Sequence, residues 1–364
     1  MDLPSPCAPG EADPHLVGVR PSPGHLGVIA FLSTEWDARA IRAGLDFGLI
    51  DALLAAPATI GDIQQITSVS PRGLDFLIEL LEANRVVDRF GENLRLTADF
   101  RSVFRFRDLL ETRIAFADLV WPDFHSLFSA LLTDVPQFMA RSRTFDLFRY
   151  DRCLAPSSTN RAATEVWTRF TTCLTRYEAP AALEQLDLRG VANVIDLGGN
   201  TGEFALACCR RAPALRATVV DLPVVCDIGR AHIAASGGSA AARIRFWPCD
   251  MRVDTLPAPA DLVVLKSVLH DWPDSDARSL ISRARSLLRP GGRLMIFERA
   301  PIALSGRPAY GLAPDLVFLH FLRQAQFYLR VLEDVGLVDV EYRRVELEVG
   351  FHHIVARRPN GPAP

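Results

Sequence analysis

The sequence contains no Cys-x-x-Cys pair and no cysteine spacing of the zinc type, and its cysteines number seven, so a fully paired disulfide framework is excluded. A reducing cytoplasm is the expected setting. No stretch approaches the roughly 18 apolar residues that a membrane-crossing helix needs. The first residues carry Glu11, Asp13 and several prolines instead of a basic start and an apolar stretch, so no secretory signal is expected there. A strong charge of either sign is also missing. The 40 basic and 43 acidic residues leave a formal net charge of −3, which gives no general attraction to nucleic acid or an anionic membrane surface. What remains is a chain of 364 residues, 49% hydrophobic and 23% charged. That balance predicts a soluble globular protein of two domains whose partner is a small molecule recognised locally.

Four segments are expected. Residues 1–27, rich in proline, read as a flexible tail. Residues 28–148 are helical, with apolar residues at three- and four-residue spacing in Ala38, Ile41 and Leu45 and in Leu74, Leu77, Leu80 and Leu81. Within them lie a short helix at Ile60–Ile66, a helix from Pro71 to Asn84 with Ser70 as its N-cap, and a hairpin over 86–96 turning at Gly91–Asn93. Helix, turn, helix, hairpin is the plan of a winged helix. Residues 59–100, however, hold Arg72, Arg85, Arg89 and Arg95 against Asp62, Asp75, Glu79, Glu82, Asp88, Glu92 and Asp99. A groove-reading helix should be basic, so a role in packing or homodimer formation is expected in place of DNA binding. Residues 149–186 read as linking helices that wall a substrate pocket, and 187–364 as the catalytic domain.

From about Ala192 short apolar runs alternate with helical stretches, the pattern of a βα-repeating sheet. Strands are expected at 192–197, 217–221, 243–247, 261–266, 292–298, 339–346 and 351–356, and helices at 202–211, 223–235, 274–288 and 324–335. The last two strands follow each other too closely for a helix between them, which predicts an antiparallel pair at one edge.

The first strand feeds Gly198-Gly199-Asn200-Thr201-Gly202 and then a helix. This turn does not supply the G-x-G-x-x-G spacing of a dinucleotide site. An acidic residue two before the first glycine, Asp196, suits a ligand that carries an amino group and lacks phosphates. The turn alone would also serve simple strand-to-helix packing. Asp221 ends the second strand, where a carboxylate binds ribose hydroxyls in a Rossmann-like sheet; taken alone it is equally a helix cap before Pro223. Asp250 and Met251 follow the third strand, either as acceptor and packing surface for adenine or as ordinary loop residues. His270 follows the fourth strand, near the carboxyl ends where ligands of open α/β sheets bind, and imidazole can take a phenolic proton at neutral pH.

Residues 28–357 resemble the caffeate and hydroxyindole type of O-methyltransferase of plants and bacterial secondary metabolism. The words that carry the likeness are Asp196-Leu-Gly-Gly-Asn-Thr-Gly202, Val220-Asp-Leu-Pro223, Leu265-Lys-Ser-Val-Leu-His-Asp-Trp272, Leu288-Arg-Pro-Gly-Gly-Arg293 and Leu332-Glu-Asp-Val-Gly-Leu337. The resemblance implies an α/β fold, with a Rossmann-like seven-stranded methyltransferase domain that binds S-adenosylmethionine (SAM) behind an N-terminal, mostly helical winged-helix dimerisation domain. It implies that Asp196, Gly198, Asp221, Asp250, Met251 and Lys266 contact SAM, that His270 is the base and that Glu298 orients it. Gly199, Gly202 and Leu222 complete the candidate cofactor set, and Trp167, Phe170 and Asp271 form the candidate acceptor set. No metal is included.

Two departures stand out. Asn200 occupies a usual glycine position, and asparagine tolerates positive φ better than most residues. Leu322, followed by the retained Arg323, stands where relatives place a second carboxylate beside the histidine, and the segment after Asp315 is shorter. The expected reaction is O-methylation of a small aromatic or polyketide-like acceptor. Methylation of an activated carbon remains open, as does a metal-assisted variant in which His270, Asp271 and His320 hold iron. A SAM-binding protein without catalysis is a further alternative, whereas the glycine spacing disfavours an NAD oxidoreductase.

Overall fold

The computed structural model describes residues 23–304 and 306–361. The expected tail lies outside the described residues as far as residue 22. From Pro23 onward the chain is helical, and His25 is buried because its ring packs against Phe106 and Tyr177.

Capping opens the N-terminal helices. Thr34 and Asp37 form a capping box on helix Glu35–Asp46, Thr59 and Asp62 another on Ile60–Ile66, and the Ser70 hydroxyl accepts from Gly73 N ahead of Pro71–Ala83. Helix Pro71–Ala83 buries Leu74, Leu77, Ile78 and Leu81 and leaves Asp75, Phe76 and Glu79 exposed. A three-stranded sheet adjoins these helices: β1 (Ala58–Thr59), β2 (Val87–Phe90) and β3 (Asn93–Leu96), in the order β1-β3-β2. Phe90 pairs directly with Asn93, so the hairpin loop is Gly91-Glu92 alone and Asn93 belongs to the strand. Gly91 adopts the positive φ, +63°, that so short a loop requires. Helix Arg107–Thr133 then crosses to the second half of the chain, and helix Ser158–Glu184 lies between the two.

The large sheet comprises β4 (Asn193–Leu197), β5 (Arg216–Asp221), β6 (Ile244–Pro248), β7 (Ala260–Lys266), β8 (Leu288–Arg299), β9 (Val338–Glu346) and β10 (Gly350–Arg357). Its order is β6-β5-β4-β7-β8-β10-β9. The first five strands are parallel, and β10 is antiparallel to both neighbours. Both faces are covered, so the central strands are apolar runs and not alternating ones. β8 starts four residues before the expected strand because Leu288 already pairs with Ala260 across a register shift. Strand order reverses between β4 and β7, and the crevice outside their carboxyl ends is where such a sheet takes a ligand.

The apolar run Leu316–Leu322 is not one continuous helix. Helix Ala313–Leu316 is followed by a 3-10 turn at Leu319–Phe321. Val317 is buried in the N-terminal core, and Phe318, packed against the same core with Phe145 and Phe148, also meets the His270 ring.

Candidate active site

A cavity of about 410 Å³ opens at the carboxyl ends of β4, β5, β7 and β8 and is walled on the far side by helix Ser158–Glu184 and the turn Tyr150–Leu154. At one end Asp196, Gly198, Gly199, Asp221, Leu222, Asp250, Met251 and Lys266 line it. Asp196 is fully buried, its Oδ2 has no partner, and burial pushes its carboxyl up to about 7. A buried, unsatisfied carboxylate oxygen favours a cationic donor from a ligand. The glycines leave room for one. A Cβ on Gly198 would stand 2.7 Å from Val268, at a φ of +69°, and one on Gly199 would stand 2.7 Å from the Asp196 carboxyl. Asn200 takes φ +53°; its amide nitrogen donates to Thr171 on the linking helix at 2.6 Å, and its backbone N–H donates to Asp221 at 2.8 Å. The usual glycine is thus replaced by a residue that tolerates the same backbone.

Asp221 accepts from Asn200 N and Leu222 N, one bond per oxygen, and burial pushes its carboxyl up to about 6. A carboxylate has about four acceptor sites, so both oxygens retain capacity for ligand hydroxyls. Both oxygens of Asp250 accept from the Arg252 guanidinium, at 3.0 and 2.7 Å, which holds the carboxyl below its usual range. Arg252 in turn lies over the Trp272 ring at 4.3 Å. Lys266, the only lysine in the chain, is bonded to Glu178 and to Thr175.

At the other end, β7 leads into the 3-10 turn Leu269–Asp271. His270 is buried and lines the cavity. Its Nδ1 is 2.7 Å from Glu298 Oε2, while Glu298 Oε1 accepts from Val268 N and Leu269 N, each at 2.7 Å. Burial would raise the Glu298 carboxyl, but the imidazole and the two amides outweigh it and hold it low. An ionised Glu298 can only accept, so Nδ1 carries the hydrogen and Nε2 is left for the cavity. Asp271 Oδ1 stands 3.5 Å from that Nε2. Burial pulls the imidazole down, yet Asp271 and Glu298 together raise it above its ordinary value. Arg323 fastens the same turn, donating to the carbonyls of Leu269, at 2.7 Å, and Trp272, and to Asp274 at 2.7 Å.

Trp167 and Asp271 line the cavity, together with Phe116, Phe148, Leu174 and Phe318. Glu298 does not reach it; it lies behind His270 with no exposed surface. Two candidates fall elsewhere. Gly202 opens helix Glu203–Arg211 at φ +82°, with Phe246 and Val219 side chains 3.2 and 3.3 Å from where a Cβ would be, so it serves packing. Phe170 stacks on Phe116 at 4.9 Å inside the N-terminal core. The cavity stripe of its helix is Trp167, Thr171, Leu174, Thr175 and Glu178, and at about 100° per residue Phe170 falls just beyond the edge of that stripe. Leu322 is buried away from the cavity. His320 is exposed and bonded to Leu131 O at 2.7 Å. Among the described residues no three metal-binding side chains gather, so the iron set of His270, Asp271 and His320 does not assemble.

Several cavity residues escaped sequence reasoning. Glu178 continues the helical stripe from Trp167, and that spacing is the signal that could have found it. Arg299 and Asp315 join it in a buried ion network: Arg299 bridges Glu178, at 2.7 Å, and Asp315, at 3.1 Å, and Asp315 binds Arg113 at 2.7 Å. Tyr150, whose hydroxyl donates to Asp271 at 2.9 Å, gave no local signal.

A glycine cradle, an unsatisfied acid and a ribose-type carboxylate at the switch of an α/β sheet define a SAM-binding methyltransferase fold. Residues 156–326 match the family model described as an O-methyltransferase domain. The chain is 27% identical over 317 residues to the mitomycin biosynthesis 6-O-methyltransferase of Streptomyces lavendulae, covering 84% of this chain and 87% of the relative. It is 30% identical over 282 residues to the aclacinomycin 10-hydroxylase of Streptomyces purpurascens, covering 73% and 71%. The solved structure of human N-acetylserotonin methyltransferase in complex with SAM superposes with a TM-score of 0.67 at 19% identity, over 88% of this chain and 94% of that one. The chain belongs to the family of SAM-dependent O-methyltransferases. Because one relative is named a hydroxylase, the reaction of this chain must be argued from its own site.

Proposed function

We propose that this protein methylates a hydroxyl group of a small aromatic or polyketide-like metabolite, with His270 as the general base. The observation that carries the reading is the Glu298–His270 pair, in which Glu298 holds Nδ1 and leaves Nε2 of a cavity-lining imidazole free to accept a proton. Bound in the glycine-lined end, SAM supplies a sulfonium methyl to the acceptor oxygen and leaves as S-adenosylhomocysteine. Asp196 meets the amino group, Asp221 the ribose hydroxyls, and Asp250 and Met251 the adenine, with Lys266 and the Gly198-Gly199 backbone closing that end. Trp167 and Asp271 contact the acceptor. His270 takes the hydroxyl proton on Nε2 as the oxygen commits its electron pair to the methyl carbon. Holding the reactants in attack geometry supplies most of the acceleration, and the base adds to it.

Calorimetry with SAM and a mass-spectrometric screen of phenols and hydroxyquinones test the reading together. Asp221→Ala should weaken SAM at least about tenfold with the circular dichroism unchanged, since a hydrogen bond to a charged group is worth roughly 1.5–3 kcal/mol. The screen should return a product with one added methyl on oxygen; a methyl on carbon would move the assignment to C-methylation.

Residues 28–148 are proposed to be a winged-helix dimerisation unit, 149–186 its link and 187–364 the catalytic domain. Trp36, Phe76, Phe90, Phe128 and Leu132 of the first unit are each more than half exposed, and apolar surface of that kind supports a twofold partner. Light scattering should give a dimer at micromolar concentration, and a monomer would reject it. No described helix is long and apolar enough to cross a membrane, and six cysteines are buried free thiols; a cytoplasmic location, without nucleic-acid binding, completes the proposal.

A further inference from the structure

The base reading accounts for Glu298 on one side of His270 but not for what holds the other side. Nε2 receives the acceptor's proton, and the imidazolium so formed needs a counter-charge at that edge. Leu322 offers none. The carboxylate within reach is Asp271, 3.5 Å away. As an immediate neighbour in a tight 3-10 turn, it has no reason in its own backbone to face the ring. Its other oxygen is fixed from outside the turn, by the Tyr150 hydroxyl at 2.9 Å.

We infer that Tyr150 is a positioning residue for the transfer reaction: its hydroxyl pins Asp271 against the Nε2 edge of His270, where the carboxylate stabilises the imidazolium as the acceptor's proton arrives. This rests on the reading of His270 as the base.

Three observations support it. The Tyr150 ring is itself clamped, with Trp167 at 5.6 Å and Trp272 at 5.9 Å between ring centroids, so its hydroxyl is a fixed point. Burial first, and then the Asp271 carboxylate, push the phenol well above its ordinary value, so it remains a donor at every working pH. The bond also joins two segments 121 residues apart, so Asp271 is held this way only with the turn Tyr150–Leu154 seated over the sheet. The other charges facing the pair are Glu298 and Arg299 from β8 and, more remotely, Asp221 from β5. Glu298 raises the histidine and Arg299 opposes it, and neither depends on Tyr150.

The test needs no acceptor. The protein is labelled with 13C at the histidine ring carbons, His270 is assigned by its loss in His270→Ala, and its titration is followed by NMR. Asp271→Asn should lower the His270 pKa by about one unit or more, because a buried opposite charge a few ångströms away is removed. Tyr150→Phe should shift the same titration while Asp271 is present and leave it unchanged in the Asp271→Asn background. Coupling of this kind marks a residue that acts through another. An Asp271→Asn variant whose His270 titrates as in the wild type overturns the inference. So does a Tyr150→Phe effect that is nil, or equal in both backgrounds. Should Tyr150→Phe fail to fold, as judged by circular dichroism, the ring carbon bearing the Tyr150 hydroxyl is followed in 13C-tyrosine-labelled protein: its resonance must move on Asp271→Asn, and an unmoved resonance overturns the inference. If all of this holds and His270→Ala nevertheless turns over normally, the base assignment fails and the positioning of Asp271 stands.

Discussion

His270→Ala lowers turnover about 10²–10⁴-fold while SAM affinity stays within twofold, because a general base acts on the transition state and not on the bound cofactor. The geometry sets this expectation. His270 lines the cavity beside Trp272 and Phe318, whereas Asp196 and Asp221 line it at the glycine turn. The wild-type pH profile carries the sign of the histidine shift. The imidazole is raised above its ordinary value, the base must be neutral, and turnover therefore climbs with pH through an acid limb above about 6.5. His270→Ala should lose that limb. Full turnover in the variant with the true acceptor would mean that proximity alone carries the reaction.

Glu178→Ala costs about 3–5 kcal/mol of folding stability, the usual penalty for breaking a buried ion pair and leaving its partners uncompensated. Here Lys266 loses the carboxylate it is bonded to and Arg299 loses one of its two, and both cations are almost without solvent exposure. Urea unfolding should show the lowered midpoint, whereas Asp46→Ala, which breaks an exposed pair with Arg42 on helix Glu35–Asp46, should stay within about 1 kcal/mol. The pH dependence has a definite direction. Burial would raise Glu178, but the charges of Lys266 and Arg299 win and hold it down to about 2. Its contribution is complete above the unfolded glutamate value of about 4.3 and fades as pH falls from there through about 2. A variant that unfolds at the wild-type midpoint would show that the network is not built as described.

Much of this protein was legible from residue order. The seven strands of the large sheet and the helices between them fall within a residue or two of their expected positions, apart from the earlier start of β8. Buried parallel strands must be short apolar runs, helices must repeat at three and four, and both signals are local. The caps at Thr34, Thr59 and Ser70 and the glycine turn after Asp196 are local in the same sense.

Other features were set only when distant segments met. Phe170 and Leu174 are both apolar, one turn apart and buried in the N-terminal core, yet with Phe170 stacked on Phe116 of helix Arg107–Thr133 it is Leu174 that also lines the cavity. Gly202 has the same chemistry as Gly198, but Phe246 and Val219 claim its open side. The run after Asp315 has helical composition, yet the helix stops at Leu316 and a 3-10 turn follows at Leu319–Phe321. The ion network from Lys266 through Glu178, Arg299 and Asp315 to Arg113 spans separations of up to 202 residues, and the Tyr150–Asp271 bond spans 121. By itself the sequence determined the sheet, the glycine turn after its first strand and the place of His270 after the fourth, because periodicity and backbone chemistry act over a few residues. Tertiary structure alone decided which helix face meets the ligand and how the buried charges pair, because those follow from the long-range packing that brings each partner within reach.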